Sequence, residues 1–167
     1  MRTLLLICFL NFFTTNSYGQ SSQTPNLPFV YKNSVHTELL GNGSVYSFVY
    51  ERVLLNGPKF KTTGQFGFTP LPPPLETEFV VHAIVNELIS FNKHHIEIGL
   101  GYGIVKEGTS EQFDSGNYDF ITGRLCYRHQ KPDGRFTTKI GFTPFIFVND
   151  NSVDFIPWGG ISFGYNF

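Results

Sequence analysis

The sequence predicts an all-β fold, an eight-stranded antiparallel up-and-down transmembrane β-barrel. Three observations predict it. From Val35 onward, large apolar residues alternate with small or polar ones at period two, the spacing of a strand and not of a helix. Turn residues cut this alternation into eight segments. The composition is aromatic-rich at 17% and charge-poor at 15%, against about 25% charged residues in a typical soluble domain. Water is a poor sole solvent for such a surface.

The first nineteen residues form a separate unit. Arg2 gives a positive start, Leu4 to Phe13 is apolar apart from Asn11, and a polar stretch leads to the small residue Gly19. This is the layout of a secretory signal peptide, with cleavage expected after Gly19. A spanning helix needs roughly 20 apolar residues, more than this run provides. Removal of the segment takes Cys8 with it, so Cys126 is expected to be the sole thiol of the exported chain, with no intramolecular disulfide. Residues 20–34, with Pro25 and Pro28, read as an irregular lead-in, and residues 35–167 as the barrel.

The expected strands run over about 35–42, 45–55, 59–69, 78–91, 94–106, 117–130, 135–147 and 154–167. Between them lie GNGS, NGP, PLPPPL, NK, EGTSEQFDSG, KPDG and NDNS, rich in residues that fix φ or tolerate positive φ. The second, fourth and sixth connections are tight, whereas the third, fifth and seventh include the longer ones. Short turns at one rim and longer loops at the other are the habit of outer-membrane barrels.

Alternation alone leaves open which row faces out, because a soluble ligand-binding barrel also alternates. The polar rows decide. In HHIEIGLGYGIVK, Ile96, Ile98, Leu100, Tyr102 and Ile104 share one face, and His95, Glu97, Gly99, Gly101 and Gly103 the other. Three glycines in a row suit a narrow interior where opposite side chains collide, not a water-facing surface. The third strand sets Phe60, Phe66 and Phe68 against Lys61, Thr63, Gln65 and Thr69. The apolar rows are therefore expected to face lipid, with aromatics such as Tyr46, Phe79, Phe91, Tyr118, Tyr127, Phe155 and Tyr165 near strand ends as interfacial girdles. Closure leaves no unpaired backbone edge in hydrocarbon.

The chain closes on ISFGYNF, with Ile161, Phe163, Tyr165 and Phe167 in one row and Ser162, Gly164 and Asn166 in the other. With this terminus and its eight strands, the chain resembles the small eight-stranded outer-membrane β-barrel proteins of Gram-negative bacteria, over about residues 34–167. In that family the final strand, ending in Phe after alternate apolar residues, is the signal read by the barrel-assembly machinery. The resemblance therefore implies that role for Ile161, Phe163, Tyr165 and Phe167, outer-membrane lipid as the surroundings, and an outer-membrane location.

The inward rows bring Glu38, Glu51 and Glu97 together with Arg124, Arg128 and Lys139. Three acids and three bases are expected to pair as a plug, since an eight-stranded barrel is just wide enough for side chains to fill it. A porin-like narrow pore is the functional alternative for the same residues. Cys126 shares this row and is expected to pack inside. His94 and His95 are adjacent, so they point to opposite faces, and His36 and His82 lie far apart. No zinc-site spacing is present and no metal or other cofactor is implied. His82, Asn86 and Ser90 share a face, but residues four apart on a strand are about 13 Å apart and form no triad. The expectation is therefore a protein that is not an enzyme.

The net charge of −1 argues against nucleic-acid binding. Residues 107–116, carrying Glu107, Glu111 and Asp114 with no balancing base, are the candidate loop for contact with an extracellular ligand of unknown kind. The function expected is structural or adhesive, through the outside loops. A soluble exported barrel with its apolar rows around a small apolar ligand is the other reading, from a different class.

Overall fold

The structure is a computed structural model that describes residues 26–70, 77–107, 117–149 and 152–167. The expected signal peptide, the start of the lead-in, and residues 71–76, 108–116 and 150–151 lie outside the described residues.

Among the described residues ten β-strands follow one another: β1 (Asn33–Leu40), β2 (Tyr46–Asn56), β3 (Phe60–Pro70), β4 (Thr77–Phe91), β5 (His94–Glu107), β6 (Asn117–Gln130), β7 (Phe136–Phe142), β8 (Phe145–Asn149), β9 (Ser152–Ile156) and β10 (Gly159–Asn166). From β1 to β7 each strand pairs antiparallel with the next, β8 pairs with β6 and β9, and β10 pairs with β7 and β1, so the sheet closes on itself. At the closure, the backbone N–H of Phe167 donates to Asn33 O at 2.8 Å, and Asn33 N–H donates back to Phe167 O at 3.1 Å.

Ten strands make eight staves. Leu125 lies opposite Phe142 and Phe120 opposite Phe147, so β7 and β8 keep one register along β6. Phe142 faces Gly159 and Phe145 faces Ile156, so β9 and β10 also share one register. By that register Pro144 falls opposite Pro157. Neither has an N–H to donate to the ladder, and the seventh and eighth staves are each interrupted there. The expected strands over 135–147 and 154–167 therefore describe the staves correctly but miss their breaks. The lead-in also ends two residues early, because β1 begins at Asn33 and its ladder to β2 starts there, with Asn33 opposite Arg52.

Turn chemistry fits the hairpins. Asn92 takes φ of 62° in the two-residue connection between β4 and β5, the left-handed region that asparagine tolerates. The β1–β2 turn uses Gly41 at φ of 97° and tucks against β10, where a Cβ on Gly160 would come within 2.7 Å of Gly41 Cα. This inward fold of the turn ends β1 at Leu40, after only eight residues. The eighth stave continues past that height as β9, which has β8 on one side and, among the described residues, no strand on the other.

The side chains are sorted inside-out relative to a water-soluble protein. Most buried side chains among the described residues are polar or charged, while Phe48, Phe66, Val85, Ile98, Leu125 and Ile140 stand exposed on the outer wall. Leu100, midway along β5, is 68% exposed. The glycines of β5 serve the narrow interior. A Cβ on Gly99 would sit 2.1 Å from Asn86 Oδ1, and one on Gly103 would sit 2.1 Å from Phe120 Cζ. Absence of a side chain on β5 is what admits those of β4 and β6.

Candidate functional site

Three levels fill the barrel. Across the middle, the carboxylates of β1, β2 and β5 meet the bases of β6 and β7. Arg124 Nη2 lies 2.7 Å from Glu38 Oε1, and Arg128 Nη1 lies 2.6 Å from Glu51 Oε1. Lys139 Nζ lies 2.5 Å from Glu51 Oε2. Glu97 is the hub, because it reaches all three bases: Arg124 Nε at 2.9 Å, Arg128 Nη1 at 3.2 Å and Lys139 Nζ at 3.3 Å. The Arg124 Nε contact is at ion-pair distance but off-line for a hydrogen bond. The Glu38, Glu51, Glu97, Arg124, Arg128 and Lys139 side chains are thus brought together in one network, and all six residues are buried.

Amides complete its hydrogen bonding. Gln65 Nε2 donates to Glu51 Oε2 at 2.5 Å, and Arg128 Nε donates to Gln130 Oε1 at 2.8 Å. Asn42, on the inward-folded first turn, accepts from Arg124 Nη1 at 2.7 Å and donates to Thr122 Oγ1 at 2.5 Å. Cys126 is a buried free thiol on the same row as Arg124 and Arg128.

Toward the rim that carries the chain ends, Phe29 closes the lumen. Its ring packs with Val53 and Leu88, meets His95 edge-on at 5.1 Å and lies 4.8 Å below Lys61 Nζ. Asn56 holds the backbone of Phe29 from both sides: Phe29 N–H donates to Asn56 Oδ1 at 2.9 Å, and Asn56 Nδ2 donates to Phe29 O at 2.8 Å. Lys61 itself donates to Pro58 O and Ser90 Oγ, each at 2.9 Å.

At the opposite, long-loop end the interior turns apolar. Phe120, Phe145 and Phe147 meet in edge-on and tilted contacts with centroids 5.1 to 6.4 Å apart, and Trp158 lies 6.3 Å from Phe145. With Val80 and Val105 they line a cavity of about 220 Å³. The expected plug of acids and bases fills the lumen at mid-height, but the interior is not polar throughout: Phe29 lies at one end and an aromatic chamber at the other.

Phe29, Asn42 and the chamber were not picked out from sequence. Phe120 was legible in principle, because it shares the parity of Arg124 and so places an aromatic ring on the wet row. Nothing in the composition of GNGS announces that Asn42 turns inward.

The remaining candidates fall as follows. Ile161, Phe163 and Tyr165 stand on the outer face of β10, and Phe167 follows its end, exposed. Tyr165 accepts a hydrogen bond from Arg135 Nη1 at 2.8 Å. His36 and His82 are both buried on inward rows, with Ser34 Oγ 2.8 Å from His36 Nε2. Among the described residues no three His, Cys, Asp or Glu side chains converge as metal ligands. Glu107 ends β5, while Glu111 and Asp114 lie outside the described residues.

A closed antiparallel sheet, charges satisfied inside and apolar side chains exposed outside define the class: an eight-stranded transmembrane β-barrel. No family model matches the chain, and no curated protein matches it. Among solved structures it is similar to the Yersinia pestis outer membrane protein Ail in a phospholipid bilayer nanodisc, at 14% identity and a TM-score of 0.47, over 82% of this chain and 99% of that one. The chain's own wall and lumen carry the reading of function.

Proposed function

We propose that this protein is an integral outer-membrane β-barrel with a structural or surface-interaction role, exerted through the loops at its chamber end, and with a lumen closed by its own side chains. One observation carries the reading. Six ionic side chains at mid-height of the lumen are buried against one another, while large apolar side chains stand exposed along the outer wall. In water that wall would drive association; in a bilayer it is the lipid-facing surface of a spanning barrel. A soluble ligand-binding barrel needs the opposite sorting.

Export through the amino-terminal signal peptide and recognition of Ile161, Phe163, Tyr165 and Phe167 by the assembly machinery belong to the same proposal. The outward row of β10 supports the latter, because side chains presented on the outer face are open to a second protein before lipid covers them. The test is fractionation of a Gram-negative host expressing the native chain and a variant lacking Phe167. The native chain is expected in the outer-membrane fraction, with gel mobility that changes on boiling, and the variant at a reduced folded fraction. Recovery of the native chain in the soluble periplasm would overturn the reading.

The pore alternative is disfavoured by the filling. Glu97 and its three bases span the lumen at mid-height, and Phe29 closes one end. Planar-bilayer recordings are expected to show no unitary current steps on insertion of the native protein. Reproducible steps altered by Glu38→Gln or Arg124→Gln would favour the pore instead.

A further inference from the structure

The aromatic chamber at the long-loop end lies outside the ion network. β1 stops at Leu40 opposite Gly160 of β10, and past that height β9 has no strand on the flank away from β8 among the described residues. The chamber is lined from both banks of this seam, by Ser44 of the β1–β2 turn on one side and by Ile156 and Trp158 on the other. On the outer wall, Trp158 also borders a groove of about 410 Å³ shared with Leu40, Phe142 and Pro157. One indole thus faces both the lumen and the outside of the barrel, at the place where the ladder is interrupted by two opposed prolines.

We propose that this chamber is a binding site for an apolar hydrocarbon group, admitted sideways through the seam past Trp158 from the surrounding apolar phase. Its volume of about 220 Å³ exceeds the ~150 Å³ of an apolar cavity that takes up benzene. Its walls, Phe120, Phe145, Phe147, Val80 and Val105, offer dispersion contacts and no charge. A small aromatic molecule and the end of a lipid acyl chain share this chemistry. Sideways entry rests on the membrane reading, whereas occupancy of the chamber does not.

Trp158 is the only tryptophan in the sequence, so its fluorescence reports the chamber without labelling. Two arms separate the sources of ligand. In non-brominated detergent, bromobenzene is titrated into the native protein and into Val105→Phe, which fills the chamber and leaves the outer groove unchanged; Val80→Phe serves if that variant fails to fold. In vesicles, acyl-brominated phosphatidylcholine replaces the bromobenzene. Saturable quenching of the native protein, with the variant at least tenfold weaker in affinity, establishes a small-molecule site. Stronger quenching of the native protein than of the variant by brominated lipid establishes an acyl-chain site. Equal quenching of native and variant in both arms reports contact at the outer groove alone and overturns the proposal. The detergent arm needs no bilayer, so failure of the membrane reading shows separately, as a chain that stays soluble without lipid or detergent.

Discussion

Replacement of Glu97 by alanine is expected to destabilise the folded barrel by about 3–5 kcal/mol, the cost of breaking a buried ion pair from one side. Glu97 is the only carboxylate of the six-residue network within ion-pair distance of all three bases. Its loss leaves three buried cations facing Glu38 and Glu51 alone. The measurement is the urea midpoint of the protein refolded in vesicles, followed by the difference in gel mobility between unboiled and boiled samples. Glu97→Gln is expected to lose less, because the amide still accepts a hydrogen bond. The double variant Glu97→Ala with Lys139→Ala is expected to recover part of the loss, since it restores the balance of charge. Whether the intact network outperforms an apolar filling is a separate question, because paired buried charges often only break even. A midpoint unchanged by Glu97→Ala would contradict the network as drawn.

Replacement of Leu100 by arginine is the second large effect. Leu100 stands 68% exposed at the middle of β5, opposite Gly123 of β6. On a protein surface in water such a change costs within about 0.5 kcal/mol. On the lipid face of a transmembrane barrel, arginine near the bilayer midplane costs about 2–4 kcal/mol. The two environments thus differ severalfold at one residue. The expected result is a loss in the upper range in vesicles, and a smaller loss for the same substitution at Phe136, close to the rim where β7 begins. Equal and negligible losses at both positions would mean that the outer wall is in water.

The parity of the strands was legible because a period of two leaves only one binary choice per stave, and that choice was settled by glycine. Gly99, Gly101 and Gly103 opposite Ile98, Leu100 and Tyr102 admit one orientation only, given that Asn86 and Phe120 need the space. The charge network followed from the same parity, because every charged residue on an inward row of a narrow barrel has few places to go. The breaks at Pro144 and Pro157 were written in the sequence as well, but their mutual opposition depends on a register that single strands do not reveal. Phe29 was not legible at all. It sits in a segment with no periodicity, and its burial comes from tertiary contacts with Val53, Leu88 and Lys61. The short β1, and with it the seam beside Trp158, depends on the inward turn of Asn42, which is held by Arg124 and Thr122 from the far side of the barrel.

The central claim is that the apolar rows face lipid and the polar rows face inward. Spin labels placed one at a time at cysteines replacing residues 96 to 104, in a Cys126→Ala background and a phospholipid bilayer, test it most directly. Labels at Ile96, Ile98, Leu100, Tyr102 and Ile104 are predicted to collide freely with dissolved oxygen and to be shielded from a water-soluble nickel chelate. Oxygen accessibility is predicted to fall at the intervening positions that still fold, giving a period of two. Nickel accessibility at Leu100 equal to that of a water-exposed turn such as Asn92–Lys93 would contradict the account.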